Sequence, residues 1–119
     1  RVEIEVLTAE AGTRCAGITA ASVALADAGI PMTDMVISVA SGKINGIVVC
    51  DLNKEEDNYG EADLPMGVCA NSGELVFLQM DGDLSPEEFQ VAWDYNMGAI
   101  APVHEIMIEA LKRSNGGDE

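Results

Sequence analysis

The stretch Met35-Val36-Ile37-Ser38-Val39-Ala40-Ser41-Gly42-Lys43-Ile44-Asn45-Gly46-Ile47-Val48-Val49-Cys50-Asp51 decides the fold. Two runs rich in β-branched residues, Met35–Ile44 and Ile47–Leu52, flank Asn45-Gly46. A type I′ turn needs positive φ at both central residues, which Asn and Gly tolerate, so this stretch predicts a β-hairpin. Further on, Ala62–Ala70 and Glu74–Met80 read as a second pair of strands joined by Asn71-Ser72-Gly73.

Helices bracket these hairpins. Upstream, Ala11-Gly12-Thr13 breaks the chain, and Thr13 can cap a helix running to about Ala28. Its only charged side chains are Arg14 and Asp27, and a helix so apolar all round is expected to be buried between layers. Gly29 suits the left-handed position after it, and Pro31 prevents its resumption. Downstream, Ser85-Pro86-Glu87-Glu88 forms a capping box and starts a helix to about Arg113, with a kink expected near Gly98–Pro102. Ahead of everything, Arg1-Val2-Glu3-Ile4-Glu5-Val6-Leu7 alternates charged and apolar residues, the period of a half-buried strand. The chain therefore opens in mid-strand and reads as cut, and residues 114–119 are expected to be a disordered tail. The order is strand, helix, two hairpins, long helix, without an internal repeat: an α+β sandwich.

At 119 residues the chain has the length of one domain, and its 48% apolar content can build a core that is mainly aliphatic. No apolar run approaches the roughly 20 residues of a membrane span, and no basic segment leads an apolar one as in a signal peptide. These features predict a soluble, cytoplasmic protein without a membrane partner. Six basic against 21 acidic residues give a net charge of −15, which repels a polyanion at long range and, alone, opposes nucleic-acid binding. A solvated acidic surface suited to a salty cytoplasm explains the same charge. Cys15, Cys50 and Cys69 are odd in number and lack C-x-x-C spacing, so they predict reduced thiols rather than a zinc site or disulfides.

Two segments could carry chemistry. Gly12-Thr13-Arg14-Cys15-Ala16-Gly17 lies at a helix N-terminus, where amide N–H groups and the helix dipole favour anions. Arg14 adds a guanidinium that can grip two phosphate oxygens, although an ordinary cap with a surface arginine fits the same residues. The acidic stretch from Glu55 to Asp63 is the second. Six residues of straight strand would separate Asp57 from Asp63 by roughly 20 Å, so their carboxylates converge only if Asn58-Tyr59-Gly60 bends the chain. Converged, they could hold Mg²⁺ or keep one carboxyl protonated as a general acid; unconverged, they are a solvated loop. Other motifs fail. An EF-hand beginning at Asp51 would need Gly at Glu56 and Glu at Ala62. Gly42-Lys43 lacks the upstream glycine of a P-loop. His104, the only histidine, has no accompanying Ser or Cys motif and suits a surface or interhelix position.

Read together, the two segments resemble the RNase PH family of phosphorolytic exoribonucleases. Ala11 to Thr19 is similar to that family's phosphate-binding segment. Asp51 to Asp63 is similar to its acidic active-site segment in the form found in the archaeal exosome's catalytic subunit, and Ala26 to Met32 and Leu78-Gln79-Met80-Asp81-Gly82 also match. The resemblance implies the C-terminal half of an RNase PH-like domain over residues 1–113, of the ribosomal protein S5 domain 2-like type, with a mostly antiparallel sheet packed against helices. It implies that Thr13, Arg14 and Cys15 bind inorganic phosphate, the co-substrate. Cys15 stands where the family often has Ser or Thr, and a thiol donates poorly, so its backbone N–H would carry more of that contact. Asp57 would be the general acid, Asp63 the second carboxylate, which helps place Mg²⁺ together with Asp57 or orients phosphate, and Glu56 would assist.

The implied partners are an RNA 3′ end, a homologous non-catalytic subunit alternating in a hexameric ring, and an RNA-binding cap subunit. The family's first half, with its RNA-gripping arginines, is not in this chain, which meets the charge objection and predicts that the 119 residues alone are inactive. Rival readings are a non-catalytic ring subunit that scaffolds and binds RNA, disfavoured by Arg14, Asp57 and Asp63, and an acidic module serving only assembly.

Overall fold

The computed structural model describes residues 1–9, 12–50 and 61–114. Its elements are α1 (Thr13–Asp27), β1 (Val36–Ile44), β2 (Ile47–Cys50), β3 (Ala62–Cys69), β4 (Leu75–Leu78), β5 (Asp81–Gly82) and α2 (Pro86–Ser114). The strands form one antiparallel sheet in the order β2-β1-β3-β4, and β5 pairs with β3 beyond the end of β4. The fold is α+β. The first hairpin closes where Asn45 and Gly46 take φ values of 51° and 77°, with Ile44 facing Ile47. Asp51 and Leu52, expected at its end, lie outside the described residues.

β1 and β3 build the core. Ile37, Val39, Ser41 and Lys43 pair with Val68, Met66, Leu64 and Ala62, so these eight side chains share one face of the sheet. α2 lies over that face, and its Ile100 and Met107 close a cluster with Ile37, Val39, Met66 and Val68. Burying each such aliphatic side chain is worth about 1.5–3 kcal/mol. One polar link crosses this layer. The Ser41 hydroxyl donates to Asn96 Oδ1 at 2.7 Å, and Asn96 Nδ2 donates to the Leu64 carbonyl at 3.0 Å. Both side chains are fully buried, and among the described residues no buried side-chain nitrogen or oxygen lacks a partner.

The capping box forms as the sequence predicts. Glu88 N–H donates to Ser85 Oγ at 3.1 Å, and Ser85 N–H donates to Glu88 Oε1 at 2.8 Å. The same carboxylate receives Lys43 Nζ at 3.1 Å, while Lys43 also lies 3.6 Å from Glu61. Lys43 therefore clamps the hairpin to the start of α2. The Ser85 N–H, then Lys43, hold the Glu88 carboxyl below its ordinary value, and the Glu88 bond in turn raises the Lys43 ammonium. α2 continues through Pro102 to Ser114, whose hydroxyl donates to Asp27, so the helix runs one residue past its expected end. Among the described residues no helix is long and apolar enough to cross a membrane.

Three expectations fail. Residues 1–9 contain no strand, and Val2, Ile4 and Val6 are about half exposed. Alternation makes a ribbon with one apolar side, but a strand also needs a neighbour for its N–H and C=O groups, and none of the described strands pairs with it. Thr13 is not the cap of α1. Gly12 holds that position in the left-handed region at φ 67°, with no side-chain cap bond, because Gly alone enters that region without a Cβ penalty. Finally, α1 is not enclosed, since only Cys15 and Ser22 are buried. It lies along the edge of β1 instead. There the Ser22 and Thr19 hydroxyls accept the Val36 and Ser38 N–H groups at 2.9 and 3.2 Å, beyond the point where Cys50 of β2 faces Ser41. Its hydroxyl-bearing residues do the work of an absent strand.

Asp34 fixes the other end of β1. Its carboxylate accepts the N–H groups of Met35, Asn71 and Ser72 at 2.9, 2.9 and 3.1 Å and the Asn71 amide at 3.1 Å, tying the second turn to the strand start. Partial burial pushes this carboxyl up, but the donors outweigh it and leave it below its ordinary value.

Candidate active site

The face of β3 opposite α2 carries Asp63 and Pro65. Pro65 has no N–H, and the strand facing it lapses there: β4 ends at Leu78 and β5 resumes at Asp81, in the same register. Gln79 and Met80 fill the lapse, held by the Gln79 N–H donating to the Pro65 carbonyl at 3.1 Å. Gly82 then pairs with Ala62 at φ 92°, where a Cβ would lie 2.2 Å from the Glu61 carbonyl oxygen. Only glycine permits that approach, and it sets Asp81 directly opposite Asp63. Directly paired residues of antiparallel strands lie about 4.5–5.5 Å apart between Cα atoms, with side chains on one face. Two carboxylates so placed repel each other and favour a nearby cation.

A cation is close at hand. Arg14, on the first turn of α1, donates from Nη1 to Gln79 Oε1, and Gln79 Nε2 donates to Asp81 Oδ2 at 3.4 Å. Gln79 and Asp81 are two residues apart and share a face with Asp63. The fold thus brings the Arg14 guanidinium, 49 positions away in sequence, to the Asp63–Asp81 pair through one amide.

Thr13 and Cys15 do not join Arg14. Successive helical residues point about 100° apart. Thr13 faces the groove against residues 4–8, whereas Cys15 is buried beside a cavity of about 540 Å³ bounded by Thr19, Ser38, Ala40, Cys50 and Val103. What the three residues can share is backbone. Among the described residues the first intrahelical bond runs from the Ala16 N–H to the Gly12 carbonyl, so Thr13, Arg14 and Cys15 lie in the first turn, at the positive end of the helix dipole. An anion at this end would meet the positive end of the helix and the Arg14 guanidinium.

Asp57 and Glu56 lie outside the described residues, and with them the expected convergence of Asp57 on Asp63. Among the described residues no group of three His, Cys, Asp or Glu side chains could hold a metal ion. Asp63 and Asp81 offer the oxygen ligands that Mg²⁺ prefers, but a site as expected from the sequence needs Asp57 as well. His104 sits half-buried on α2 beside the Asn71–Gly73 turn, away from these groups. Sequence reasoning missed Gln79 and Asp81 as site residues. Their signal was the alternation of Gln79, Asp81 and Asp83 before a helix cap, with a glycine at position 82.

Residues 34–94, just over half of the chain, match the model of the 3′ exoribonuclease family, domain 2. The chain belongs to that family, the RNase PH family that its motifs resemble. Exosome complex component Rrp41 of Thermoplasma volcanium is 56% identical over 110 residues, covering 92% of this chain and 44% of that protein. Rrp41 of Pyrococcus horikoshii is 57% identical over 111 residues, covering 93% and 45%. The chain spans under half the length of these curated relatives. Among solved structures, rice Rrp46 superimposes with a TM-score of 0.81 over 89% of this chain and 51% of that one, at 20% identity, and so shares the fold.

Proposed function

We propose that these residues are the C-terminal half of a catalytic, RNase PH-like exosome subunit that shortens RNA from its 3′ end with inorganic phosphate. An oxygen of phosphate attacks the phosphorus of the last phosphodiester. The bond from that phosphorus to the 3′ oxygen of the preceding nucleotide breaks, and the leaving oxygen takes a proton from Asp57. The products are a nucleoside 5′-diphosphate and an RNA one residue shorter. Arg14, with Thr13 and Cys15 beside it in the first turn of α1, holds the attacking phosphate and offsets its charge. Asp63, joined by Asp57 once it has given up its proton, would hold Mg²⁺, which would supply further neutralisation of the transferring phosphoryl group. Catalysis is then largely positioning and charge stabilisation.

The observation that carries this reading is the approach of Arg14 to the Asp63–Asp81 pair in a member of the 3′ exoribonuclease family. The relatives' name, exosome complex component, supports assembly with other exosome subunits. We place the chain in a cytoplasmic hexameric ring alternating with a non-catalytic homologue under an RNA-binding cap subunit. The basic surface that a polyanion needs would come from the other half of the domain and from those partners, so these 119 residues alone are expected to be inactive.

The test is product analysis with the longer protein in its assembled ring. Phosphate-dependent release of nucleoside diphosphates is expected, and Asp57→Asn should slow it by about 10²-fold or more. Nucleoside monophosphates released without phosphate would rule out phosphorolysis, and an unchanged Asp57→Asn rate would remove Asp57 from the mechanism.

A further inference from the structure

From the way Gln79 stands between a cation and an anion, we infer that it is a positioning residue that keeps the Arg14 charge uncompensated for the incoming phosphate. This rests on the phosphorolytic reading above. A guanidinium has only donors and a carboxylate only acceptors. The Gln79 amide is therefore fixed in one orientation, oxygen to Arg14 and NH₂ to Asp81. Its backbone is fixed too, by the Pro65 carbonyl. The result is a line of three groups in which a neutral amide separates the arginine from the nearest carboxylate along it.

Chemistry gives that separation a consequence. A carboxylate bonded straight to Arg14 would neutralise the guanidinium and repel a phosphate dianion at the same spot. An amide holds the guanidinium in place without cancelling its charge. Gln79 also keeps Asp81 occupied, so that the carboxylate stays on the Asp63 side of the site. The residue at position 79 must thus accept from a cation and donate to an anion at once, which Glu, Met and Leu cannot do.

Two variants separate this role from a purely structural one. Gln79→Glu retains an acceptor for Arg14 but adds a negative charge. Gln79→Met removes both bonds and adds no charge. If Gln79 only braces Arg14, the Met variant is the worse of the two. If it insulates the charge, the Glu variant is worse. In the longer protein assembled with its ring partner, phosphate affinity is measured by calorimetric titration with inorganic phosphate. The phosphate KM for diphosphate release, the affinity for a labelled oligonucleotide and the thermal midpoint are measured alongside. We expect Gln79→Glu to raise both the phosphate Kd and its KM about tenfold or more, and Gln79→Met about threefold, with RNA affinity and thermal midpoint close to wild type. Saturating phosphate should restore most of the Gln79→Glu rate. A Gln79→Glu protein that binds phosphate as well as Gln79→Met does overturns the inference, as does a parallel loss of RNA affinity and thermal stability. If the wild-type protein binds phosphate but releases no diphosphates, phosphorolysis fails, and the order of the phosphate affinities still decides the role of Gln79.

Discussion

Replacing Asn96 by Leu probes the one polar link through the core. The side chain is fully buried and bridges α2 to both central strands, by 2.7 Å to the Ser41 hydroxyl and 3.0 Å to the Leu64 carbonyl. Leucine is similar in length, so no large cavity opens, and the cost comes from the partners left behind. Ser41 faces Leu64 in the β1–β3 ladder, and the Leu64 carbonyl, with two lone pairs, loses only its second donor. The Ser41 hydroxyl, fully buried, loses its acceptor. A stranded buried donor costs about 1–3 kcal/mol, so the variant should be destabilised by about 2 kcal/mol. For a domain of this length, roughly 4 °C of midpoint corresponds to each kcal/mol, which gives a fall of about 8 °C. Adding Ser41→Ala removes the stranded hydroxyl and should recover about 1 kcal/mol, so the double variant is more stable than Asn96→Leu alone. Urea denaturation of the four proteins of this cycle gives the coupling energy directly. An Asn96→Leu variant within about 0.5 kcal/mol of wild type, or a double variant weaker than the single one, would refute the reasoning.

Two other outcomes follow from the same geometry. Gly82→Ala puts a Cβ against the Glu61 carbonyl at a left-handed φ, so the strand must shift; a loss of about 1–3 kcal/mol in urea is expected, together with weaker phosphate binding as Asp81 moves off Asp63. Asp34 and Glu88 are both held below their ordinary values of 3.8 and 4.5, so the unfolded chain takes up more protons in acid. Their contribution is whole above those values and is lost as pH falls through the lower folded ones. The urea midpoint should therefore drop between pH 5 and pH 3, and drop less in Asp34→Asn; equal drops would show that Asp34 is not the group responsible.

Local signals were legible and distant ones were not. Asn45-Gly46 and the Ser85/Glu88 box each define their structure within four residues, and both form. Arg1–Leu7 has the alternation of a strand, yet pairing is a property of a neighbour, which no local pattern contains. At the start of α1 the Thr13 hydroxyl pointed to a cap one residue too late, because the left-handed Gly12 holds that position. Arg14 was visible as a rare basic residue at a helix start. Its partner was not, because Gln79 is 65 positions away and is brought there by the lapse that Pro65 imposes on β4 and β5. The clamp of Lys43 on Glu88 escaped notice for the same reason, since a lysine in a hairpin gives no sign of the helix it will meet.

The role of Arg14 can be measured most directly in the phosphate saturation curve of an Arg14→Gln variant of the assembled, longer protein. If its guanidinium holds the attacking anion, kcat/KM for phosphate falls by about 10²-fold or more while the affinity for RNA stays within about threefold of wild type. An unchanged phosphate curve, or a loss confined to RNA binding, would contradict it.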